Sequence, residues 1–329
     1  MQKFLRLQKA NNLNKINGKL YLKSFFLCIL SYWLFLFIII RNNNYKKNIY
    51  TNINITYLIK NDFNIDIDAC LYIKNKLNKR EKPFDYENEL SFLISLISCN
   101  ISFSFIRFAD GEENIMRGKD IIGIDNWHWT PKLQKLRDSL IESASICINP
   151  NNFIGLPCKN WIHYSKSILS FSKCNSAKYM SYATLFVNKN YFEFQKWITH
   201  FVNSSNRWKI ILIANSNINK NISWAYKFFP VPYNVIDIWD EFSISFLSNL
   251  SYEARKNDLL FFVSAGPAAN IIIAYLTKIN NKNIYIDFGS SIEFLTKGYS
   301  TRSHSKKESK NSHKGCESFI LRNKIIIYD

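Results

Sequence analysis

Near the N-terminus the chain contains one long apolar run, residues 24–40, without a single charged residue. With Tyr21 and Leu22, and with the Lys23 side chain reaching the interface, about twenty residues can cross a hydrocarbon core about 30 Å thick. A cleaved signal peptide would need small residues after the run, and Ile38–Asn42 offers none. The alternative is a core helix that is apolar on all sides. We interpret residues 24–40 as a transmembrane signal anchor.

Basic residues on the two sides of this run predict its orientation. Six lysines and arginines precede it and three follow it closely, so residues 1–23 are expected to form a cytoplasmic tail. Residues 41–85 are polar, and we interpret them as a stem that leads to a luminal domain over residues 86–300. A span this short suits the thin internal membranes, so we expect a single-pass type II protein of the ER or Golgi. Residues 301–329 form a basic C-terminal tail, with a Ser/Lys/His-rich loop at its start.

Beyond the anchor, short apolar runs alternate with segments of helical periodicity. The predicted helices are Ile65–Leu77, Asn88–Cys99, Leu133–Ser145, Phe242–Leu250 and Pro267–Lys278. The predicted strands are Ile101–Phe108, Lys209–Ala214, Val235–Ile238, Leu259–Val263 and Asn283–Asp287. Strands that are apolar throughout, rather than alternating, are typical of a parallel sheet covered on both faces. The fold class expected is therefore α/β, with a Rossmann-like, mostly parallel sheet.

Composition narrows the possible functions only a little. Hydrophobic residues make up 47% of the chain, which excludes a disordered protein. The net charge of +18 favours anionic partners. However, Asn, Ile and Lys are abundant everywhere, and no Arg-rich stretch interleaved with aromatic residues marks a nucleic-acid groove. We therefore expect no nucleic-acid partner. The seven cysteines contain no C-x-x-C pair, so a zinc ribbon is not indicated.

Several well-known catalytic motifs do not occur in the sequence. The chain has no G-x-G-x-x-G after a strand, no P-loop, no G-x-S-x-G and no H-E-x-x-H. Dinucleotide-binding Rossmann enzymes, P-loop NTPases, α/β-hydrolases and zinc peptidases are accordingly disfavoured.

One segment with candidate chemistry is Arg107–Glu112, at the end of a predicted strand. Ligands of open α/β sheets bind at such strand ends. Asp110 and Glu112 flank Gly111, which permits a sharp turn and lets both carboxylates aim at one point. Two hard oxygen ligands suit Mg²⁺ or Mn²⁺. The alternative is a turn that starts the next helix, with both acids at the helix N-terminus.

This segment, R-F-A-D-G-E, resembles the signature of the GT-D-type glycosyltransferases, in which a strand followed by D-x-E binds a divalent metal and a nucleotide-sugar diphosphate. Ser264–Ala269 is similar to the late strand–turn–helix of that family, and Ile286–Gly289 to its closing strand. The resemblance covers about residues 86–296. Ala109 stands in place of an expected glycine, and Ser290 stands where bacterial relatives often carry histidine.

The resemblance implies a role for particular residues. Asp110 and Glu112 would be catalytic and would coordinate Mn²⁺ or Mg²⁺. The nucleotide sugar, expected to be a UDP-sugar, would be bound by a second group of residues. That group comprises Arg107, Gly111, Ser264, Gly266 and Asp287. Arg107 is equally consistent with a structural salt bridge, and Gly266 with a plain helix start.

Other residues remain open between two interpretations. Asp125 and the Trp127–Trp129 segment, with His128, would line an acceptor or base pocket, or else belong to the core. An inverting reaction would need a general base. The candidates are Glu113, Asp125, Asp287 and Glu293.

The function expected is that of a metal-dependent, hexosyltransferase-like enzyme that transfers a sugar to a glycan or glycoconjugate. One alternative is a metal-dependent phosphotransferase or nucleotidyltransferase using the same acids. The other is a non-catalytic, membrane-tethered basic binding module.

Overall fold

The computed structural model describes residues 66–124, 127–148, 151–157, 167–171, 177–204, 208–218 and 221–300. These residues belong to one compact unit. The predicted anchor, cytoplasmic tail and C-terminal tail lie outside the described residues. Within the described ranges, every helix is too short or too polar to cross a membrane.

The described part of the chain includes eight α-helices and nine strands whose bounds follow. The helices are α1 (Ile67–Asn78), α2 (Tyr86–Ser98), α3 (Asp110–Met116), α4 (Gln134–Ser143), α5 (Tyr191–Ser204), α6 (Trp239–Ala254), α7 (Ala268–Ile279) and α8 (Glu293–Thr296). The strands are β1 (Ser104–Arg107), β2 (Ile121–Ile124), β3 (Trp127–Trp129), β4 (Asn152–Leu156), β5 (Met180–Tyr182), β6 (Lys209–Asn215), β7 (Lys227–Val231), β8 (Leu259–Ser264) and β9 (Ile284–Asp287).

Seven of these strands form one sheet in the order β5-β4-β1-β9-β8-β6-β7, and all its neighbouring pairs are parallel. Strands β2 and β3 form a separate antiparallel pair. The sheet confirms the predicted Rossmann-like α/β class. Strands β1, β4 and β5 follow one another from the centre of the sheet to one edge. Strands β6 to β9 form the other half of the sheet. The two halves meet at β1 and β9, and such a junction is where ligands bind in this class of sheet.

Both faces of the sheet are buried, which explains why its central strands are apolar throughout. Phe261 and Val263 point into a cluster on the face that also contains residues of α3, α4, α6 and α7. Phe262, between them, points to the other face and stacks with Phe201 of α5 at a centroid distance of 6.5 Å. It also meets Phe288 edge-on at 4.8 Å. Successive residues of one strand therefore stabilise opposite layers.

Some predicted elements were wrong or were missed. Val235–Ile238 is a series of turns rather than a strand. Strands β2, β3, β4, β5 and β7 and helices α5 and α8 were not predicted. Strand β7 contains Pro230, which cannot donate to a neighbour and is tolerated here because β7 is an edge strand.

Residues within the predicted stem pack against the domain. Helix α1 buries Ala69, Ile73 and Leu77. After it, the buried Arg80 pairs with the buried Glu89 of α2 at 2.8 Å and donates to the Met180 carbonyl at 2.6 Å. These contacts join the segment that follows α1 to α2 and to the edge strand β5. The predicted domain boundaries themselves stay predictions.

Candidate functional site

An ion pair joins the carboxyl ends of the two central strands. Strand β1 ends at Arg107 and strand β9 ends at Asp287. The Arg107 Nε atom lies 3.1 Å from Asp287 Oδ2, and Nη2 lies 3.3 Å from Oδ1. Only 16% of the Arg107 side chain and 7% of the Asp287 side chain is exposed. This two-pronged contact fixes the ends of β1 and β9 against each other.

Gly289 makes this ion pair possible. Its backbone N–H donates to Asp287 Oδ1 at 2.8 Å, and its φ of +51° is unfavourable for other residues. A Cβ atom at Gly289 would lie 1.9 Å from Arg107 Nη2. Burial raises the pKa of Asp287, and the Arg107 guanidinium and the Gly289 N–H offset part of that increase. Asp287 therefore has both oxygens committed to protein groups.

Arg107 also contacts the other half of the sheet. Its Nη1 atom donates to the Ala183 carbonyl, just after β5, at 3.0 Å. Gly155 of β4 leaves room for the side chain, since a Cβ atom there would lie 3.2 Å from Arg107 Cγ. Arg107 thus forms the structural salt bridge that the sequence left open as one of its two interpretations.

The two acids of the D-x-E segment lie in the first turn of α3. Gly111 is helical there, so the expected sharp turn is wrong, and the helix-start alternative describes the backbone. Side chains at i and i+2 of a helix point in different directions. Asp110 is exposed, and within the described ranges no group pairs with it. Glu112 folds back, and its Oε2 accepts the Ala109 N–H at 2.9 Å.

Glu112 lies in the electrostatic field of the ion pair. Burial raises its pKa to about 7, and the negative charge of Asp287 adds to that effect. The N–H groups of Ala109 and of Glu112 itself, together with Arg107, oppose the increase. Glu112, Asp287 and Arg107 therefore interact at the end of the central strands, although Asp287 is far from the other two in the sequence.

Ser264 and Gly266 lie at the next strand end. Ser264 closes β8, and its hydroxyl donates to the Gly289 carbonyl at 2.7 Å. Gly266 has a φ of +55° and is exposed. Helix α7 begins two residues later, and no side chain of the described residues caps its N-terminus. Uncapped N–H groups at such a helix start attract anions, phosphate groups above all.

Of the remaining candidates, those whose side chains the structure describes are not brought into this group. Trp129 is fully buried in the core, and His128 is exposed. The side chains of Asp125 and Trp127 lie outside the described residues. Among the candidate bases, Glu113 is buried and pairs with Arg117 at 3.2 Å, whereas Glu293 pairs with Lys297 at 3.0 Å.

Sequence reasoning missed Asn270, which is 1% exposed and lies in the first turn of α7. Its side chain bonds both the backbone N–H and the backbone carbonyl of Arg107. A signal was present, because Asn270 is the one strongly polar residue in the otherwise apolar stretch Ala268–Ala274. Such a residue in a buried helix face must find partners.

Within the described residues, no three His, Cys, Asp or Glu side chains are grouped so as to hold a metal ion. The available donors are the carboxylates of Asp110 and Glu112. Mg²⁺ commonly takes one or two protein carboxylates and completes its shell with substrate phosphates and water. Asp110 is exposed and can supply one such carboxylate, whereas Glu112 accepts the Ala109 N–H, so a cation here would take most of its ligands from a phosphorylated substrate and water.

Two solved structures of a domain of unknown function, number 1792, resemble this chain at 17% sequence identity with a TM-score of 0.44. Each comparison covers 75% of this chain and 94% of the other. One is described as the selenomethionine-substituted domain, and the other as a highly conserved domain with a distinct glycosyltransferase fold. No sequence-family model and no curated protein matches the chain. The functional proposal therefore has to come from the site and its motif.

Proposed function

We propose that the chain is a metal-dependent glycosyltransferase that moves a sugar from a nucleotide-sugar donor to a glycan or glycoconjugate hydroxyl. The observation that carries this proposal is the group formed by Arg107, Glu112 and Asp287 at the carboxyl edge of β1 and β9. The uncapped start of α7 adjoins it through Asn270. A nucleotide-sugar diphosphate suits both features, because its negative charge fits the helix start and its oxygens can share a cation with carboxylates.

Asp110 and Glu112 are the residues that would hold Mn²⁺ or Mg²⁺. When bound, such a cation supplies positive charge that offsets the negative charge developing on the diphosphate leaving group. The first turn of α3 presents Asp110 to solvent, where substrate and water can complete a coordination shell.

The other residues of the site would orient rather than react. Arg107 holds Asp287, and the Gly289 N–H fixes the same carboxylate from the other side. With both oxygens occupied, Asp287 is poorly placed to accept a proton from an acceptor hydroxyl. Gly266 presents backbone at the start of α7 without a side chain in the way, so the diphosphate can approach the helix closely.

The sequence supports a membrane-tethered setting for this reaction. We propose a type II protein anchored by residues 24–40, with the catalytic domain in the lumen of the ER or Golgi and a UDP-sugar as donor. A glycan or glycoconjugate in that compartment would be the acceptor.

Binding of UDP and UDP-sugars to the purified full-length chain, titrated with and without Mn²⁺, tests the proposal. Wild-type protein should bind them only with the metal. Asp110→Asn/Glu112→Gln should lose the metal-dependent part of the affinity, by about 10-fold or more. The chain offers a matched control, because Asp85-Tyr86-Glu87 is a second D-x-E at a helix start, beside the edge strand β5.

Asp85→Asn/Glu87→Gln makes the same change in charge and should leave Mn²⁺ and UDP binding as in the wild type. Equal binding by wild type and Asp110→Asn/Glu112→Gln would show that the metal site has been misassigned. Transfer of phosphate or nucleotide instead of sugar in a donor screen would replace the glycosyltransferase proposal with the phosphotransferase one.

A further inference from the structure

Asn270 closes a ring of contacts among the three loops that follow β1, β8 and β9. Its Oδ1 atom accepts the Arg107 N–H at 3.2 Å, and its Nδ2 atom donates to the Arg107 carbonyl at 2.7 Å. Arg107 in turn holds Asp287, and the Ser264 hydroxyl joins the β8 end to the Gly289 carbonyl. Each loop is therefore fixed to the other two.

The position of Asn270 gives its contact a particular consequence. Arg107 ends β1, and α3 with Asp110 and Glu112 begins three residues later. Asn270 lies in the first turn of α7, next to the uncapped N-terminus that follows Gly266. One amide side chain thus links the strand end that leads into α3 to the start of α7. Its burial prevents water from replacing either bond.

We propose that Asn270 is a positioning residue of the donor site, which holds the start of α7 in register with the D-x-E segment so that one diphosphate engages both. This inference rests on the proposed function for the identity of the ligand. The bond from Asn270 to Arg107 also has a purely local readout, the exchange rate of the Arg107 amide hydrogen. The positioning role of Asn270 and the identity of the ligand can therefore be tested separately.

A matched control lies at the opposite end of the same sheet. Asn283, also 1% exposed, accepts the Leu259 N–H at 3.1 Å and donates to the Ala254 carbonyl at 2.9 Å. Its side chain bridges backbone groups as Asn270 does, at the amino ends of β8 and β9. Asn283 also donates to the Lys256 carbonyl and to the Tyr285 hydroxyl, so its loss should destabilise the domain at least as much as the loss of Asn270. Only Asn270 lies at the site.

The experiment compares Asn270→Ala and Asn283→Ala in the full-length chain by hydrogen exchange and by UDP binding in the presence of Mn²⁺. We expect Asn270→Ala to speed exchange over residues 107–113 and to weaken UDP binding by about 10- to 100-fold, as for outer-shell partners of metal ligands. Asn283→Ala should speed exchange around residues 255–260 instead and should bind UDP as the wild type does. Unchanged exchange at Arg107 in Asn270→Ala, or equal loss of UDP affinity in the two variants, overturns the proposal.

A second variant serves if Asn270→Ala does not fold. Asn270→Ser keeps a neutral group that can accept and donate but is shorter than the amide, so we expect exchange at Arg107 and UDP affinity between those of the wild type and Asn270→Ala. Wild-type behaviour of Asn270→Ser in both measurements contradicts the positioning role. If wild-type protein binds no UDP with Mn²⁺, the proposed function fails, whereas the exchange comparison still decides whether Asn270 holds the end of β1.

Discussion

At the scale of single residues, Gly289 is the position where the site tolerates least change. An alanine there would combine a left-handed backbone with a direct clash against the Arg107 guanidinium. We expect Gly289→Ala to lower the free energy of unfolding by about 2–4 kcal/mol, because the Arg107–Asp287 pair must open. Urea unfolding measures this loss. Gly118→Ala is the control, since Gly118 has a φ of +73° and its nearest neighbour, Arg137 Nε, would be 3.9 Å away. A similar loss in both variants would mean that strain alone, without the clash, explains the effect.

Glu112 should make the stability of the domain depend on pH. Its pKa rises from 4.5 to about 7 on folding, so the folded chain holds the proton more tightly than the unfolded chain. The resulting stabilisation is fully present below about pH 4.5 and is lost as the pH rises through about 7. Glu112→Gln cannot ionise, and we expect it to exceed the wild type in stability by about 1–3 kcal/mol at pH 8 and to match it near pH 4.5. Chemical unfolding without divalent metals at the two pH values checks this.

Glu87→Gln, which removes an exposed carboxylate from the first turn of α2, is the control. The interpretation fails if the stability of Glu87→Gln, relative to the wild type, changes with pH in the same way.

At the scale of helices and strands, burial made most of the interior strands predictable. Strand β4 is the exception: it is buried at every position, but Asn152 and Gly155 interrupt its short apolar sequence and it was missed. Strands β1, β6, β8 and β9 lie inside the sheet and are apolar on both faces, so their sequences identified them. The edge strands β5 and β7 bury less: β5 has three residues, and β7 leaves its first residue, Lys227, exposed. Helix positions were recovered to within a few residues at most ends. Asp85 caps α2, which therefore begins two residues before its predicted start.

The candidate site was predictable only in part, for a related reason. Arg107, Glu112 and Ser264 lie at or just after the ends of apolar runs, where hydrophobic residues give way to polar ones. The pairing of Arg107 with Asp287 spans 180 residues and depends on β1 and β9 being neighbours. Local periodicity does not determine the order of strands in a sheet. The sequence could therefore place each residue at a strand end but could not show which strand ends are neighbours. The polarity of Asn270 within an apolar stretch was a signal that it has a buried partner, but that partner is the backbone of Arg107, which the sequence could not identify.

At the scale of the whole molecule, the contacts of Arg80 indicate which residues before the predicted domain start are needed for its stability. The guanidinium carbon of Arg80 lies 4.9 Å from the centre of the Phe153 ring and 5.4 Å from that of Phe92. Glu89 accepts from Arg80 and also from the Phe84 N–H at 2.9 Å. Strand β4, helix α2 and the segment after α1 therefore share one buried charge pair, which belongs to the folding unit rather than to a flexible connection.

The last prediction follows from that charge pair. A chain starting at residue 86, the predicted start of the catalytic domain, would lack Arg80 and leave Glu89 as a buried charge without its partner. Breaking a buried pair on one side costs about 3–5 kcal/mol, so this truncation should unfold at lower urea concentration than a chain starting at residue 66. Other contacts are lost as well, because α1 removes Ala69, Ile73 and Leu77 from water and Asp85 caps α2. Glu89→Gln isolates the contribution of the charge pair: in the chain starting at residue 86 it should recover part of the stability, and in the chain starting at residue 66 it should destabilise, since Arg80 then loses its charged partner. The same effect of Glu89→Gln in both chains would show that the loss of Arg80 does not contribute, and that the packing of α1 and the cap of α2 carry the difference.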